Sequence, residues 1–112
     1  METTRQNKVS KLIQKELSSI FQRETYEILG NILVTVTRVN TSPDLSVVKV
    51  YLSIFPTNDP LLCLDSINKK KVFFRKLLGN RCRHQLRVIP EIIFYLDDSA
   101  EYAEEINRLL NS

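Results

Sequence analysis

Apolar residues recur near the start of the chain at Val9, Leu12, Ile13, Leu17, Ile20 and Phe21, and Glu16 is the one exception on the same stripe. That i, i+3, i+4, i+7 spacing predicts an amphipathic helix with one buried face. Thr3 or Thr4 is suited to cap its start, and Gly30-Asn31 separates it from the next element. The pattern then changes period. From Ile32 to Asn40 the chain is rich in Val and Thr, and Ile32, Val34 and Val36 alternate with Leu33, Thr35 and Thr37. This reads as a strand. Thr41-Ser42-Pro43-Asp44 has the chemistry of a turn. A second strand runs from Ser46 to Phe55, with Val48, Val50, Leu52 and Ile54 on its apolar face. The short connection predicts an antiparallel hairpin.

After Pro56-Thr57-Asn58 the period becomes helical again. Asp59 is suited to be an N-cap and Pro60 to occupy the first helical position. Leu61, Leu62, Leu64 and Ile67 are the expected core residues of this helix, and Val72, Phe73, Leu77 and Leu78 those of its continuation. Gly79-Asn80 is expected to bend or end it. Leu86, Val88, Pro90, Ile92, Phe94 and Leu96 alternate and predict a third strand over Leu86 to Leu96. Pro90 cannot donate a ladder hydrogen bond, so that strand belongs at an edge or is bulged there. A last helix is expected from Asp98-Ser99, where Asp98 and Glu101 have capping-box spacing. Tyr102, Ala103, Ile106, Leu109 and Leu110 would form its apolar side. The predicted order is helix, strand, strand, helix, helix, strand, helix, an α+β pattern.

Length changes the picture by limiting it: 112 residues make one domain, 1–112, with no internal repeat. No stretch resembles a secretory signal or is long enough to span a bilayer. A cytoplasmic protein with no membrane association is expected. Cys63 and Cys82 have no metal-type spacing and are expected to be reduced core thiols. The charge is more informative. Residues 1–90 carry 15 Lys/Arg against 7 Asp/Glu, whereas residues 91–112 carry one Arg against 6 acids. Ile67 to Arg87 contains Lys69, Lys70, Lys71, Arg75, Lys76, Arg81, Arg83 and Arg87 and no acid. Such a run repels itself and is best tolerated beside a polyanion.

Catalytic chemistry finds little support. His84 is the only histidine, and no acid near it in sequence would orient it as a general base. Nothing has metal-ligand spacing, and the two glycines are too far apart for a phosphate loop. No cofactor and no metal are expected. Arg and Lys, in contrast, suit phosphate, Arg through bidentate hydrogen bonds and Lys as a mobile point charge. The candidate phosphate-binding residues are therefore Lys69, Lys70, Lys71, Arg75, Lys76, Arg81, Arg83 and Arg87, with His84 as an added polar or stacking contact. Arg5, Lys8, Lys11 and Lys15 recur along the first helix and form a second rank.

The segment Val34-Thr35-Val36-Thr37-Arg38-Val39-Asn40-Thr41-Ser42-Pro43-Asp44-Leu45, followed by Val48-Lys49-Val50-Tyr51-Leu52-Ser53, resembles the hairpin of bacterial ribosome-binding factor A. Phe74-Arg75-Lys76-Leu77-Leu78-Gly79, then Leu86 to Phe94, then Asp97-Asp98-Ser99, resemble the same family in the same order. So does the opening, where Arg5, Val9 and Lys15-Glu16-Leu17 precede Ile20. The resemblance implies a type II KH-like domain, a three-stranded mixed sheet covered by helices. It also implies a small-residue-x-Gly kink between two helices, where this chain has Lys70-Lys71-Val72 instead. By the same resemblance the expected function is binding to the immature small (30S) ribosomal subunit and its 16S rRNA late in assembly, as a monomer and without catalysis, with ribosomal proteins as further partners. Two other readings are a protein-interaction module whose RNA contact is incidental, and a small hydrolase using His84.

Overall fold

A computed structural model describes residues 3–30, 32–55 and 59–97, with the backbone alone over 25–29. The first helix, α1, runs Thr4–Leu29. Its start is a capping box. The Thr3 hydroxyl accepts from the Gln6 amide at 3.2 Å, and the Gln6 side chain accepts from the Thr3 amide at 2.8 Å, so two of the helix's orphan donors are satisfied reciprocally. Val9, Ile13, Leu17, Ile20 and Phe21 are buried along the predicted stripe. Gly30, at φ +76, follows its last residue in the left-handed conformation that closes a helix at little cost for glycine.

β1 (Leu33–Thr41) and β2 (Val47–Phe55) pair antiparallel as the predicted hairpin. The sequence alternation fails inside β1, and the structure shows why. Val36 pairs with Leu52 and Arg38 with Tyr51, leaving Thr37 as an extra residue in a bulge. The bulge returns Val39 to the buried face and turns Arg38 outward. Without it, Arg38 would point into the core. The Thr37 hydroxyl donates to the Asp97 carboxylate and lies 3.2 Å from the Tyr51 carbonyl.

The β1–β2 turn is held by one carboxylate. Asp44 Oδ1 accepts from the Ser42 hydroxyl at 2.8 Å, the Ser46 hydroxyl at 2.7 Å and the Ser46 amide at 3.1 Å. These hydrogen bonds favour the charged form and lower the Asp44 pKa from 3.8 to about 2. A depressed pKa places the contribution above the unfolded value and removes it as pH falls through the folded one. The Ser46 amide resonance is therefore expected to titrate with a midpoint near pH 2. A midpoint near the free-carboxyl value would show that the turn does not hold the charge.

α2 (Pro60–Lys69) starts as predicted, with Asp59 accepting from the Leu62 amide at 3.1 Å and Pro60 following it. Its core contacts differ from expectation. Cys63 and Ile67 are buried, Leu64 is half-buried, and Leu61 and Leu62 are 65% and 62% exposed. Cys63 and Ile67 lie one turn apart on the face toward the sheet, and the two leucines at the helix start lie off that line. α3 (Lys71–Cys82) shows a similar shift of phase. Phe74, Leu78 and Cys82 are buried, whereas Val72 is 76% exposed and Phe73 is also exposed. Gly79 does not end α3, which runs on to Cys82. Ile89 Cγ1 lies 3.4 Å from where a Cβ would stand there, so the segment after α3 packs over this position at van der Waals distance.

β3 is Glu91–Leu96, shorter than the predicted Leu86 to Leu96. The Gln85 and Leu86 amides both bond to the Cys82 carbonyl, which turns the chain after α3. The Ile89 and Pro90 carbonyls are taken by the Arg75 guanidinium, at 2.8 and 3.2 Å, and Val88 is 72% exposed. β3 pairs parallel with β2, giving the strand order β1-β2-β3 with β3 at an edge, as Pro90 implied. α2 and α3 form the crossover that a parallel pair requires. The result is a three-stranded mixed sheet with helices packed on the face that carries Val36, Val50, Leu52 and Phe94. Phe21, Phe74 and Phe94 meet at its centre, with ring centroids 4.8–5.8 Å apart. The predicted last helix lies outside the described residues.

Candidate nucleic-acid interface

The basic run falls on the end of α2, on α3 and on the turn after it, and the two helices divide its members by role. Lys70 alone separates α2 from α3. Its backbone, at φ −108 and ψ 17, is open to any residue, so the helix–helix kink forms here without glycine. The Lys70 amide bonds to the Ile67 carbonyl at 3.0 Å, and the Phe74 amide bonds to the Lys70 carbonyl at 3.1 Å. No side chain caps α3, and its first turn contains no acid. Lys70 and Lys71 therefore add charge to a helix end that already carries a partial positive charge.

On α3, Val72, Lys76 and Arg83 recur at steps of four and seven residues on the side opposite Phe74 and Leu78, and all three are exposed. His84 comes next, also exposed. Lys70, Lys71, Lys76 and Arg83 make no ion pair or side-chain hydrogen bond among the described residues. Lys69 pairs with Asp65 at 3.2 Å, with both side chains largely in solvent, an arrangement that contributes little to stability.

Two of the predicted cations bond to the fold, Arg75 from an exposed position and Arg81 from a half-buried one. Arg75 clasps the carbonyls of Ile89 and Pro90 and so fixes the entry to β3. Arg81 lies next to the buried stripe of α3 and bonds to Glu16 and to the Ser19 hydroxyl, each at 3.2 Å. Glu16 was the one charged residue on the apolar stripe of α1. That exception meets Arg81, and the pair is partly shielded from water. Next to them Cys82 is buried, and burial followed by the Glu16 charge raises its thiol pKa. Cys63 and Cys82 are both buried, as expected of core residues.

The second-rank cations Arg5, Lys8, Lys11 and Lys15 are all exposed on α1. The fold brings Arg5 and Lys8 to the Arg87 end of the basic run, across a groove of about 540 Å³. A smaller cleft of about 320 Å³ lies between the first turn of α3 and the start of β3, lined by Lys71, Val72, Arg75, Glu91 and Ile92. Arg38 was not a candidate from sequence. The hairpin register sets it beside Tyr51, with its guanidinium carbon 4.1 Å from the ring centroid, and Tyr51 stacks on Tyr95 at 5.5 Å. The signal in the sequence was cross-strand alignment, which the bulge at Thr37 shifted by one residue. No group of three or more His, Cys, Asp or Glu side chains gathers among the described residues. Nor is any described helix long and apolar enough to cross a membrane.

Two helices crossing from β2 to a parallel β3, behind an antiparallel hairpin and a long first helix, define a type II KH-like α+β domain with a basic helical surface. The chain belongs to the ribosome-binding factor A family, whose model matches residues 5–110. It is 48% identical to ribosome-binding factor A of Cytophaga hutchinsonii, over 99% of this chain and 84% of that one. The crystal structure of the Thermus thermophilus factor superposes with a TM-score of 0.66 at 22% identity, covering 81% of this chain and 94% of the other. A homology model of the Thermus thermophilus factor, as fitted into a cryo-EM map of a complex with the 30S subunit, matches with a TM-score of 0.59. It is 25% identical and covers 77% of this chain and 88% of the other.

Proposed function

We propose that this protein binds the immature 30S subunit late in its assembly, holds 16S rRNA on a basic surface and supports processing of that RNA without catalysing a reaction. The observation that carries this reading is the outer side of the helix pair. Lys70, Lys71, Lys76 and Arg83 stand exposed there without acidic partners among the described residues. Cations left without partners by the fold are available for phosphate. Family membership and the 30S-bound relative support the 30S subunit as the target, and 16S rRNA is our reading of the RNA it offers. Phosphate contacts position a protein but carry no sequence information directly. Preference for an immature subunit then comes from RNA shape, or from unpaired segments that maturation later buries. The exposed Leu61 and Leu62 on α2 favour an additional contact with a ribosomal protein.

The test joins binding to physiology. Affinity for immature subunits should exceed that for finished ones and fall with salt at a log–log slope steeper than about −3, as five phosphate contacts require. Cells without the gene should accumulate precursor 16S rRNA, most strongly in the cold, where misfolded RNA escapes slowly. A nearly flat salt dependence, or normal processing in the deletion strain, would defeat the reading. Association that survives nuclease treatment would favour a protein partner instead.

A further inference from the structure

We propose that the groove between the start of α1, the β1–β2 turn and the segment after α3 holds one unpaired nucleotide of the bound RNA. Its base would lie on Leu45, Leu86 and Val88, and its neighbouring phosphates on Arg5, Lys8 and Arg87. The inference rests on the reading that the protein binds RNA, and it assigns a place and a ligand chemistry that the basic run alone does not.

The groove encloses about 540 Å³, within the roughly 300–1,000 Å³ of small-ligand sites. Its apolar lining comes from three separate elements: Val9 on α1, Leu45 in the hairpin turn, and Leu86, Val88 and Pro90 after α3. Val88 leaves most of its surface in water, although the alternation of the sequence placed it on the sheet's inner face. Leu45 adopts φ +62, a left-handed conformation that is uncommon for a residue with a large side chain. The turn keeps it there. The Leu45 amide bonds to the Ser42 carbonyl at 2.9 Å, and the Val47 amide bonds to the Ser42 hydroxyl at 3.0 Å. The far wall is also fixed. Gln6 donates to the Thr41 carbonyl at 2.9 Å, and the Ser10 and Thr41 hydroxyls bond at 2.7 Å, which ties the first turns of α1 to the end of β1.

Charge selects the occupant. Arg5, Lys8 and Arg87 stand on the rim against a single acid, Asp44. Asp44 Oδ1 already accepts three hydrogen bonds within its own turn. An apolar floor with three cations around it matches a flat base flanked by phosphates. Branched side chains and guanidinium planes pack on base faces. A paired base cannot enter, because both its faces are already stacked.

The test uses the full chain and two RNA hairpins with the same stem, one fully paired and one with a single bulged nucleotide, followed by fluorescence anisotropy. The bulged hairpin should bind about tenfold tighter, within the range that one docked base contributes. Val88→Asn alters an exposed side chain without changing the charge and should abolish the difference while leaving affinity for the paired stem nearly unchanged. Leu45→Gly should do the same while accommodating the left-handed backbone. Amide resonances of Leu45, Leu86 and Val88 should shift with the bulged RNA and not with the paired one. Equal affinity for both hairpins, or a bulge preference that survives both substitutions, overturns the groove assignment and leaves RNA binding intact. If neither hairpin binds and immature subunits are not bound either, the RNA reading fails and the groove assignment with it.

Discussion

Replacing Phe74 with Ala is expected to lower the unfolding free energy by about 3–5 kcal/mol. Phe74 is wholly buried, and its ring lies 4.8 Å from that of Phe21 on α1 and 5.8 Å from that of Phe94 on β3. One side chain therefore joins the long helix, the crossover and the edge strand. Truncation leaves a cavity where three elements meet, and none can close it without leaving the others. A domain of this size has roughly 5–15 kcal/mol in total, so the variant should be partly unfolded at modest temperature. Phe74→Leu keeps most of the volume and should cost less than half as much. Phe73→Ala is the control. Its ring touches Phe74 at 5.5 Å but is 41% exposed, so it should lose about 1 kcal/mol. Urea unfolding followed by circular dichroism measures all three. Equal losses at positions 73 and 74 would mean that the helix is in a different phase.

That phase is where the sequence stops being legible. α1, the hairpin and the Asp59-Pro60 helix start could be read because each rests on local chemistry: a long apolar stripe, a turn and a cap. Val72-Phe73-Phe74 and Leu77-Leu78 offer two helical phases of nearly equal apolar content. Phe21 and Phe94, distant in sequence, decide between them. The alternation from Leu86 to Leu96 likewise continues through Pro90, but a strand needs a neighbour. β2 begins its parallel pairing at Val47, opposite Glu91, and Arg75 takes the two carbonyls before Glu91. The bulge at Thr37 leaves no local signal either. It is forced by the need to keep Arg38 out of the core while Val39 enters it. The candidate site was legible as a composition and not as a geometry. Eight cations in one run are plain in the sequence, but only the packing of α3 on α1 and β3 separates those without a partner among the described residues from those that bond to the fold.

This separation predicts opposite outcomes for two sets of substitutions. Gln at Lys70, Lys71, Lys76 and Arg83 together should weaken RNA binding about a hundredfold and make the salt slope shallower by about 3, because each lost phosphate contact removes one share of counterion release. The urea midpoint should barely move, since these side chains are exposed and make no ion pair among the described residues. Gln at Arg75 and Arg81 should do the reverse. Arg75 would lose two hydrogen bonds to backbone carbonyls, and Arg81 its bonds to Glu16 and Ser19. Charged hydrogen bonds that are only partly shielded should contribute about 1 kcal/mol at each site. Stability should therefore fall by about 2 kcal/mol, with much smaller loss of affinity among the molecules that remain folded. Glu16→Gln in the Arg81→Gln background should cost less than it does alone, because the pair is already broken. In cells lacking the gene, the variant without the four exposed cations should accumulate to normal levels yet fail to restore 16S rRNA processing. The Arg75/Arg81 variant should restore it wherever its abundance is restored. Matching losses of affinity from both sets, measured on folded protein, would show that α3 presents all of its cations to RNA and that the bonds of Arg75 and Arg81 open on binding.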